Sequence, residues 1–557
     1  MSENRVMAKQ RKQYRTEQKN PAVGHGQKAL NATQEKADGQ KTGKKRLKLP
    51  VIVVFFVLVW LWAWLWMGDT MRVARENSFW SPNEILMRFM DGRPWEMLCR
   101  AGRMLLTTYR WPVLGGALMA LLVAKCTWLT GYCLRLKGWW KLLQFVPALA
   151  YLLFLTYIGY DLYYEAETGL IMGVPFLALI VLMTLALIIR SFSHSHKFPN
   201  PFLPDKGEST KQHLAGLAMA VLTIALPMGV SHWMRPYVRV TTRMQCQMME
   251  QDWRGMAETA RKNADLSYRQ IAAYYAIALT QSEEQASRLF DIRMDYDVPY
   301  IHGFNKNAND AANYYVMDCD LYAGLVQTAI HHAMEHMTMN GPTLRSLKLL
   351  TRAALLKGEW RVAEKYLRVL EHVPFEGDFV KKYRPMVGNL SMIDNDPEFH
   401  HMRLTEPVHD NFENLLTQPT FMGYNIALNE GRSINALWNS LMVHLYTKTM
   451  PQFIARCQPL QGNTPPPTIA EGLLLMSNKY PEIMKLFPGL EYNQARLLAL
   501  LQETRPFMGS HETRAEHAHE LFKKWKGFYP YYYFFGNLKA TKRKDTNNEG
   551  TSKQGVN

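Results

Sequence analysis

Residues 49–68 read LPVIVVFFVLVWLWAWLWMG, twenty positions without a single charge. A helix needs about 20 mainly apolar residues to cross the hydrocarbon of a bilayer, where every backbone N–H and C=O must be satisfied within its own segment. Trp60, Trp62, Trp64 and Trp66 crowd the second half of the stretch, as in the aromatic belt at a membrane interface. A buried helix of a water-soluble protein could be this apolar once. Working outward, residues 142–160, 169–189 and 213–233 are equally uncharged, and four such runs predict a membrane bundle. A fifth run, 111–134, is broken only by Lys125. The ammonium of Lys125 is expected to snorkel towards headgroups; the alternative is a buried cation facing the bundle.

The first run begins after 48 residues and no small-residue cleavage site follows it, so it reads as an uncleaved anchor. Residues 1–49 carry 13 Lys/Arg against four acidic residues, and residues 539–557 add five against two. Twelve of the seventeen net positive charges therefore lie in two tails rich in Gln, Asn, Gly and Ser, expected to be disordered. Tyr14 is the only aromatic in residues 1–49, which argues against the stacking chemistry of a nucleic-acid module. Lys44, Lys45, Arg46 and Lys48 abut the first apolar run and predict a cytoplasmic N-terminus in contact with membrane lipids.

Five spans then place everything after Trp233 outside the cytoplasm. Arg135, Lys137 and Lys141, and then Arg190, Lys197, Lys206 and Lys211, fall in the two inside loops, whereas Asp161, Glu165 and Glu167 fall outside. The loop 69–110 breaks this pattern, because it holds seven arginines and would be outside. Asp69, Glu76, Glu84, Asp91 and Glu96 lie among them as counterweights.

From about residue 245 to 537 the apolar spacing is that of amphipathic helices, with no sustained strand-like alternation. Gly324 and Gly358 are 34 residues apart, as are Ala329 and Ala363, in the segments GLVQTAIHHAMEHM and GEWRVAEKYLRVLE. Thirty-four residues is the tetratricopeptide period. Asp252–Asn263 repeats the acidic–Trp–Arg opening of the second segment, and looser units centre on Ala286 and on Asn439–Cys457. Insertions at 294–310 and 394–418 interrupt any regular array. The expected fold is all-α: a bundle of about five transmembrane helices followed by a tetratricopeptide-like helical domain.

Residues 315–374 resemble the tetratricopeptide superfamily, which implies a surface for a protein or peptide partner more than a catalyst. The whole chain also resembles an uncharacterised bacterial family of multi-pass membrane proteins with tetratricopeptide-like tails. Leu105–Tyr109, Trp111–Pro112, Gly115, the repeat pair and the aromatic run Tyr529–Phe535 carry that resemblance, which implies no particular reaction.

The residues themselves offer three possible chemistries. His332-Ala333-Met334-Glu335-His336 matches HxxEH, in which His332 and His336 would bind zinc on one helical face and Glu335 would act as base. A place inside the second helix of the repeat, with Ala333 at a close-packing position, is the favoured reading, with the histidines as ordinary surface or groove residues. His511, His517 and His519 read as a solvated helix face. Asp69, Asp161–Glu167 and the arginines from Arg72 to Arg110 could serve a transferase acting on a polyprenyl-phosphate-linked glycan. No GxxxxGK, GxSxG or GxGxxG pattern occurs, and none of the six cysteines forms a CxxC. No catalytic, cofactor or metal residue is therefore assigned. The leading expectation is a membrane-anchored interaction protein.

Overall fold

The computed structural model describes residues 49–164, 167–192, 209–294 except 267, 315–406, 433–536 and 538. The basic N-terminal tail, nearly all of the C-terminal tail and most of the two insertions lie outside the described residues, as do the side chains of 157–166. Helices and turns account for the described chain, with no strand among the described residues.

Numbering only helices of seven residues or more, α1 (Val51–Leu61) runs into a π-helical stretch, Trp62–Trp66. The N–H of Met67 donates to the carbonyl of Trp62 at 3.0 Å, and the chain bends by 65° into α2 (Gly68–Glu76). The first apolar run is thus a helix that widens and turns, not a straight rod. Then come α3 (Glu96–Leu106), α4 (Pro112–Cys133), α5 (Val146–Tyr164), α6 (Leu170–Phe192) and α7 (Thr210–Met234). A 3-10 segment, Gly138–Phe145, leads into α5. Four helical stretches are long and apolar enough to cross a membrane, and five if the bent pair counts as one span. Pro112 starts α4 where its missing N–H costs nothing, and Ser209 with Gln212 forms a capping box on α7.

Inside the bundle α1 packs on α4 and α7, α4 on α6, and α5 on α7. Lys125 is exposed on the outer surface of α4 and does not face the bundle interior. The segment around α3, amphipathic in sequence, is not a solitary interfacial helix. A Cβ on Gly102 would lie 1.7 Å from the carbonyl oxygen of Gly169, so only glycine lets α3 press against the start of α6. Likewise the ring of Tyr109 lies where a side chain on Gly115 would be, with 2.5 Å to Cγ.

Behind the bundle lie α8 (Pro236–Met249), α9 (Trp253–Lys262), α10 (Arg269–Gln281), α11 (Tyr315–Tyr322), α12 (Val326–Asn340), α13 (Leu344–Lys357) and α14 (Trp360–Glu371). The chain continues through α15 (Gly377–Tyr383), α16 (Pro397–Thr405), α17 (Ile434–Thr447), α18 (Met450–Arg456) and α19 (Pro467–Met476). It ends in α20 (Gln494–Thr504), α21 (His511–Trp525) and α22 (Tyr529–Phe535). A single apolar core links these helices from Met244 to Phe535. Helix α10 is its centre, with Ile271 through Leu279 all buried.

One turn recurs through this region. Gly324 (φ 84°) and Gly358 (φ 72°) each end a helix in the left-handed conformation. The next residue's N–H reaches back to a carbonyl five residues earlier: Leu325 to Asp320 and Glu359 to Ala354, both at 2.8 Å. This is the Schellman closure, for which glycine pays no Cβ penalty. Ala329 and Ala363, five residues on, are fully buried where the paired helices touch. The same closure occurs without glycine at Gln251 (φ 59°), Glu283 (φ 59°) and Lys448 (φ 58°). There Asp252 donates to Gln247, Glu284 to Leu279 and Thr449 to His444.

The aromatic run forms α22 and is packed on α19 and α21. Tyr529, Tyr531, Tyr532 and Phe535 are buried. Their hydroxyls are satisfied: Tyr529 donates to Leu445 O at 3.0 Å, Tyr531 to Ala518 O at 2.6 Å and Tyr532 to Tyr446 O at 2.9 Å. All six cysteines are free thiols, five of them buried.

Candidate functional site

The seven arginines of residues 69–110 cluster at the end of the bundle that carries the helical domain. Six of them meet carboxylates. Arg72 bonds Glu250; Arg75 bonds Glu76 at 2.6 Å and also Glu376; Arg93 lies 3.7 Å from Glu167. Arg100 meets Asp91 at 2.5 Å and Glu84 at 2.9 Å, Arg103 bonds Glu167, and Arg110 lies 3.6 Å from Asp378. The loop that breaks the charge pattern in sequence is therefore neutralised in the fold.

The contacts of Arg75 reach the far side of the sequence. Arg75, 2% exposed, and Lys348 share the carboxylates of Glu76 and Glu376, with Lys348 Nζ 2.7 Å from Glu76 and 2.9 Å from Glu376. The result is a buried square of two cations and two anions between α2 and the helical domain. Breaking one member of such a set leaves an uncompensated buried charge and costs about 3–5 kcal/mol.

Beside the square lies a cavity of about 270 Å³. Arg72, Glu76 and Arg110 line it from the bundle, and Arg345, Lys348 and Arg352 from α13. Its floor is the buried carboxylate of Glu398. Lys382 Nζ lies 2.8 Å from it, Arg352 Nε 3.2 Å and the Tyr322 hydroxyl 3.3 Å, and Tyr383 donates a further hydrogen bond. Burial alone would raise the pKa of Glu398, but Arg352 and Lys382 hold it below the ordinary carboxylate value. Phe379 supplies an aromatic wall, with Lys348 and Arg352 each 5.7 Å from its ring centre.

The HxxEH residues do not line this cavity, and the two histidines turn to separate partners. His332 Nδ1 donates to Asp320 at 3.1 Å, and His336 Nδ1 lies 3.3 Å from the Ser346 hydroxyl. Burial lowers the pKa of His332, and the bond to Asp320 more than offsets it. Burial and the charge of Arg345 push His336 down to about 4. Neither is an ordinary surface histidine: Asp320 and Ser346 come from neighbouring helices and give each a structural bond. No group of three or more His, Cys, Asp or Glu placed to hold a metal occurs among the described residues. His517 likewise stacks on Phe507 at 4.0 Å, and His511 bonds the carbonyl of Leu538 at 2.6 Å. Asp69 pairs with Arg243 at 3.4 Å, on the α8 side, while Glu167 is held by Arg103 and Arg93.

A second concavity opens on the outer surface. A groove of about 580 Å³ follows α14, lined by Trp360, Arg361, Glu364, Lys365, Arg368 and Val387. Three cations face one carboxylate there, and that carboxylate, Glu364, is already bonded to Arg368 at 3.1 Å. Sequence reading noted these residues only as a repeat helix; the i, i+4 and i+7 spacing of Arg361, Lys365 and Arg368 was the available signal.

Residues 157–536 match the family model described as "Family of unknown function (DUF6057)", which is more than half of the chain. The chain belongs to this family. The DUF6057 match covers the last two apolar helices and the helical domain, and ends directly after α22. The α13 to α16 wall of the cavity and the whole of the α14 groove fall within it; Arg72, Arg75, Glu76 and Arg110 precede it. No curated protein and no solved structure matches the chain.

Proposed function

We propose that this DUF6057 chain is a membrane-anchored interaction protein whose helical domain, outside the cytoplasm, holds an acidic segment of a protein or peptide partner in the groove along α14. The composition of that groove carries the reading. Arg361, Lys365 and Arg368 present three cations, and Trp360 and Val387 provide an apolar anchor beside them. Aromatic side chains and arginine are the residues that dominate interface energetics, and a one-signed rim steers an oppositely charged partner.

Three features support this reading. The recurring closure at Gln251, Glu283, Gly324, Gly358 and Lys448 suits a tetratricopeptide-like stack of helix pairs, an architecture that builds extended binding faces. The buried square around Arg75 and Lys348 mounts that face rigidly on the bundle. The apolar helices and the Lys/Arg bias of the loops support five spans with the N-terminus inside and a groove that faces the cell envelope.

The test is site-specific photo-cross-linking in native membranes from a probe at Arg361, with a probe at Lys262 as control. A single discrete adduct is expected at Arg361, lost when Lys365 and Arg368 are both changed to Glu. No adduct above the Lys262 level, or an adduct indifferent to charge reversal, contradicts the proposal.

A further inference from the structure

We propose that the cavity between α2 and the α13 to α16 wall is a binding site for a small phosphate-bearing ligand, a lipid headgroup or a free phosphate ester, separate from the α14 groove. Donor and acceptor balance comes first. Six cations line the cavity against five carboxylates, and each of those five already has a cation within 4.0 Å. A ligand bearing an ammonium would find its acceptors engaged. An anion would find donors to spare, since each guanidinium offers five N–H groups.

Arg352 makes this specific. Its side chain is 13% exposed. Its Nε lies 3.2 Å from Glu398 Oε1, yet it is buried without a hydrogen-bonded acceptor. A buried donor left in that state is costly, and the guanidinium, which lines the cavity, offers its remaining N–H groups to a ligand oxygen. The rim can supply two more cations. Among the described residues Arg110 pairs only with Asp378, at 3.6 Å, and the Asp378 side chain is 90% exposed; an exposed pair of this kind is worth little, so Asp378 yields readily to a stronger anion. Lys382, 42% exposed, faces the same opening.

Size and shape narrow the class. About 270 Å³ falls at the lower edge of small-ligand cavities, roughly 300–1,000 Å³, too small for a folded peptide. A phosphate ester has two or three free oxygens to distribute over Arg110, Arg352 and Lys382, and arginine favours such multidentate contacts. Phe379, Tyr322 and Tyr383 give a short carbon backbone an apolar wall. Because α2 leaves the first apolar helix at this point, the phosphate could arrive from the membrane or from solution.

The experiment uses the full chain purified in mild detergent. Isothermal titration with glycerol 3-phosphate probes the soluble source. Native mass spectrometry after reconstitution in phosphatidylcholine nanodiscs with added phosphatidylglycerol probes the lipid source. Binding in either arm is expected, with at least a tenfold loss in Lys382→Gln and in Arg110→Gln, and none in Lys365→Gln on the α14 groove. Arg110 does not touch Glu398, so Arg110→Gln keeps the test decisive if Lys382→Gln lowers stability. Saturation by glycerol 3-phosphate assigns the soluble source; retention of phosphatidylglycerol alone assigns the headgroup. No binding in either arm, or binding unchanged in Arg110→Gln, overturns the site.

Discussion

Lys348 places its ammonium 2.7 Å from the carboxylate of Glu76, 272 residues earlier in the chain. Glu76 ends the helix that leaves the first apolar segment, and Lys348 sits in the middle of a repeat-like helix. With Arg75 and Glu376 they form a closed set, 12% exposed at most. Lys348→Met should strand two carboxylates on Arg75 alone and cost about 3–5 kcal/mol. Thermal unfolding of the full chain in detergent should then drop by about 5 °C or more. A change within 1 °C would mean that the square does not hold the two regions together.

The recurring turn makes a prediction that depends on which residue occupies it. Gly358 has φ 72°, so Gly358→Ala should destabilise by about 1 kcal/mol. Gln251 has φ 59° and already carries the Cβ strain, so Gln251→Gly should stay within about 0.5 kcal/mol of the parent as relief and chain entropy offset. Equal losses at both positions, measured by denaturant unfolding, would show that the left-handed conformation is not what matters there.

Glu471 offers a pH test. It is 4% exposed and accepts a hydrogen bond from the Tyr529 N–H at 2.8 Å, with Arg496 3.7 Å away. Burial, the dominant cause, pushes its pKa up to about 7 from 4.5, against the opposing Tyr529 bond and Arg496. The folded state therefore keeps a proton that the unfolded state releases between those values. Its contribution to stability is complete below pH 4.5 and is lost as pH rises through 7. Glu471→Gln retains the acceptor and removes the charge, so it should raise stability at pH 8 by about 1–3 kcal/mol and leave stability at pH 4 nearly unchanged. Melting curves at the two pH values check this; equal shifts at both would exclude the ionisation.

The C-terminal aromatic helix should behave as a cap. Removing residues after Leu538 is expected to leave the melting temperature within about 1 °C, since Leu538, the last described residue, is itself tied to the core through His511. Removing residues from Phe528 onward uncovers the α19 and α21 surfaces and discards five buried aromatics, each worth about 150–250 Å² of burial. A fall of at least 10 °C is expected. Identical melting of the two truncations would contradict the cap.

What could be read from sequence follows the range of the physics. The apolar runs at 49–68, 111–134, 142–160, 169–189 and 213–233 announce themselves because solvation by lipid is a local property of about 20 residues. The structure moves their ends by a few residues and adds the bend after Trp66, where π-helical hydrogen bonding leaves no sequence mark. Gly324 and Gly358 were legible because glycine advertises a positive φ. Gln251, Glu283 and Lys448 adopt the same conformation with ordinary side chains, so only the echo of neighbouring residues hinted at their units. The charged cavity was not legible. Glu76, Lys348, Glu376 and Glu398 are unremarkable in their own segments, and only folding across some 300 residues makes them one site. The HxxEH match is the opposite case, a local pattern whose members the fold directs to Asp320 and Ser346.

The central claim is that the helical domain stands on the outer end of a five-span bundle. Reporter fusions after Ser191 and after Asn263, one active only in the cytoplasm and one only outside it, measure this most directly. The account predicts cytoplasmic activity after Ser191 and extracytoplasmic activity after Asn263. Cytoplasmic activity at both positions would contradict it.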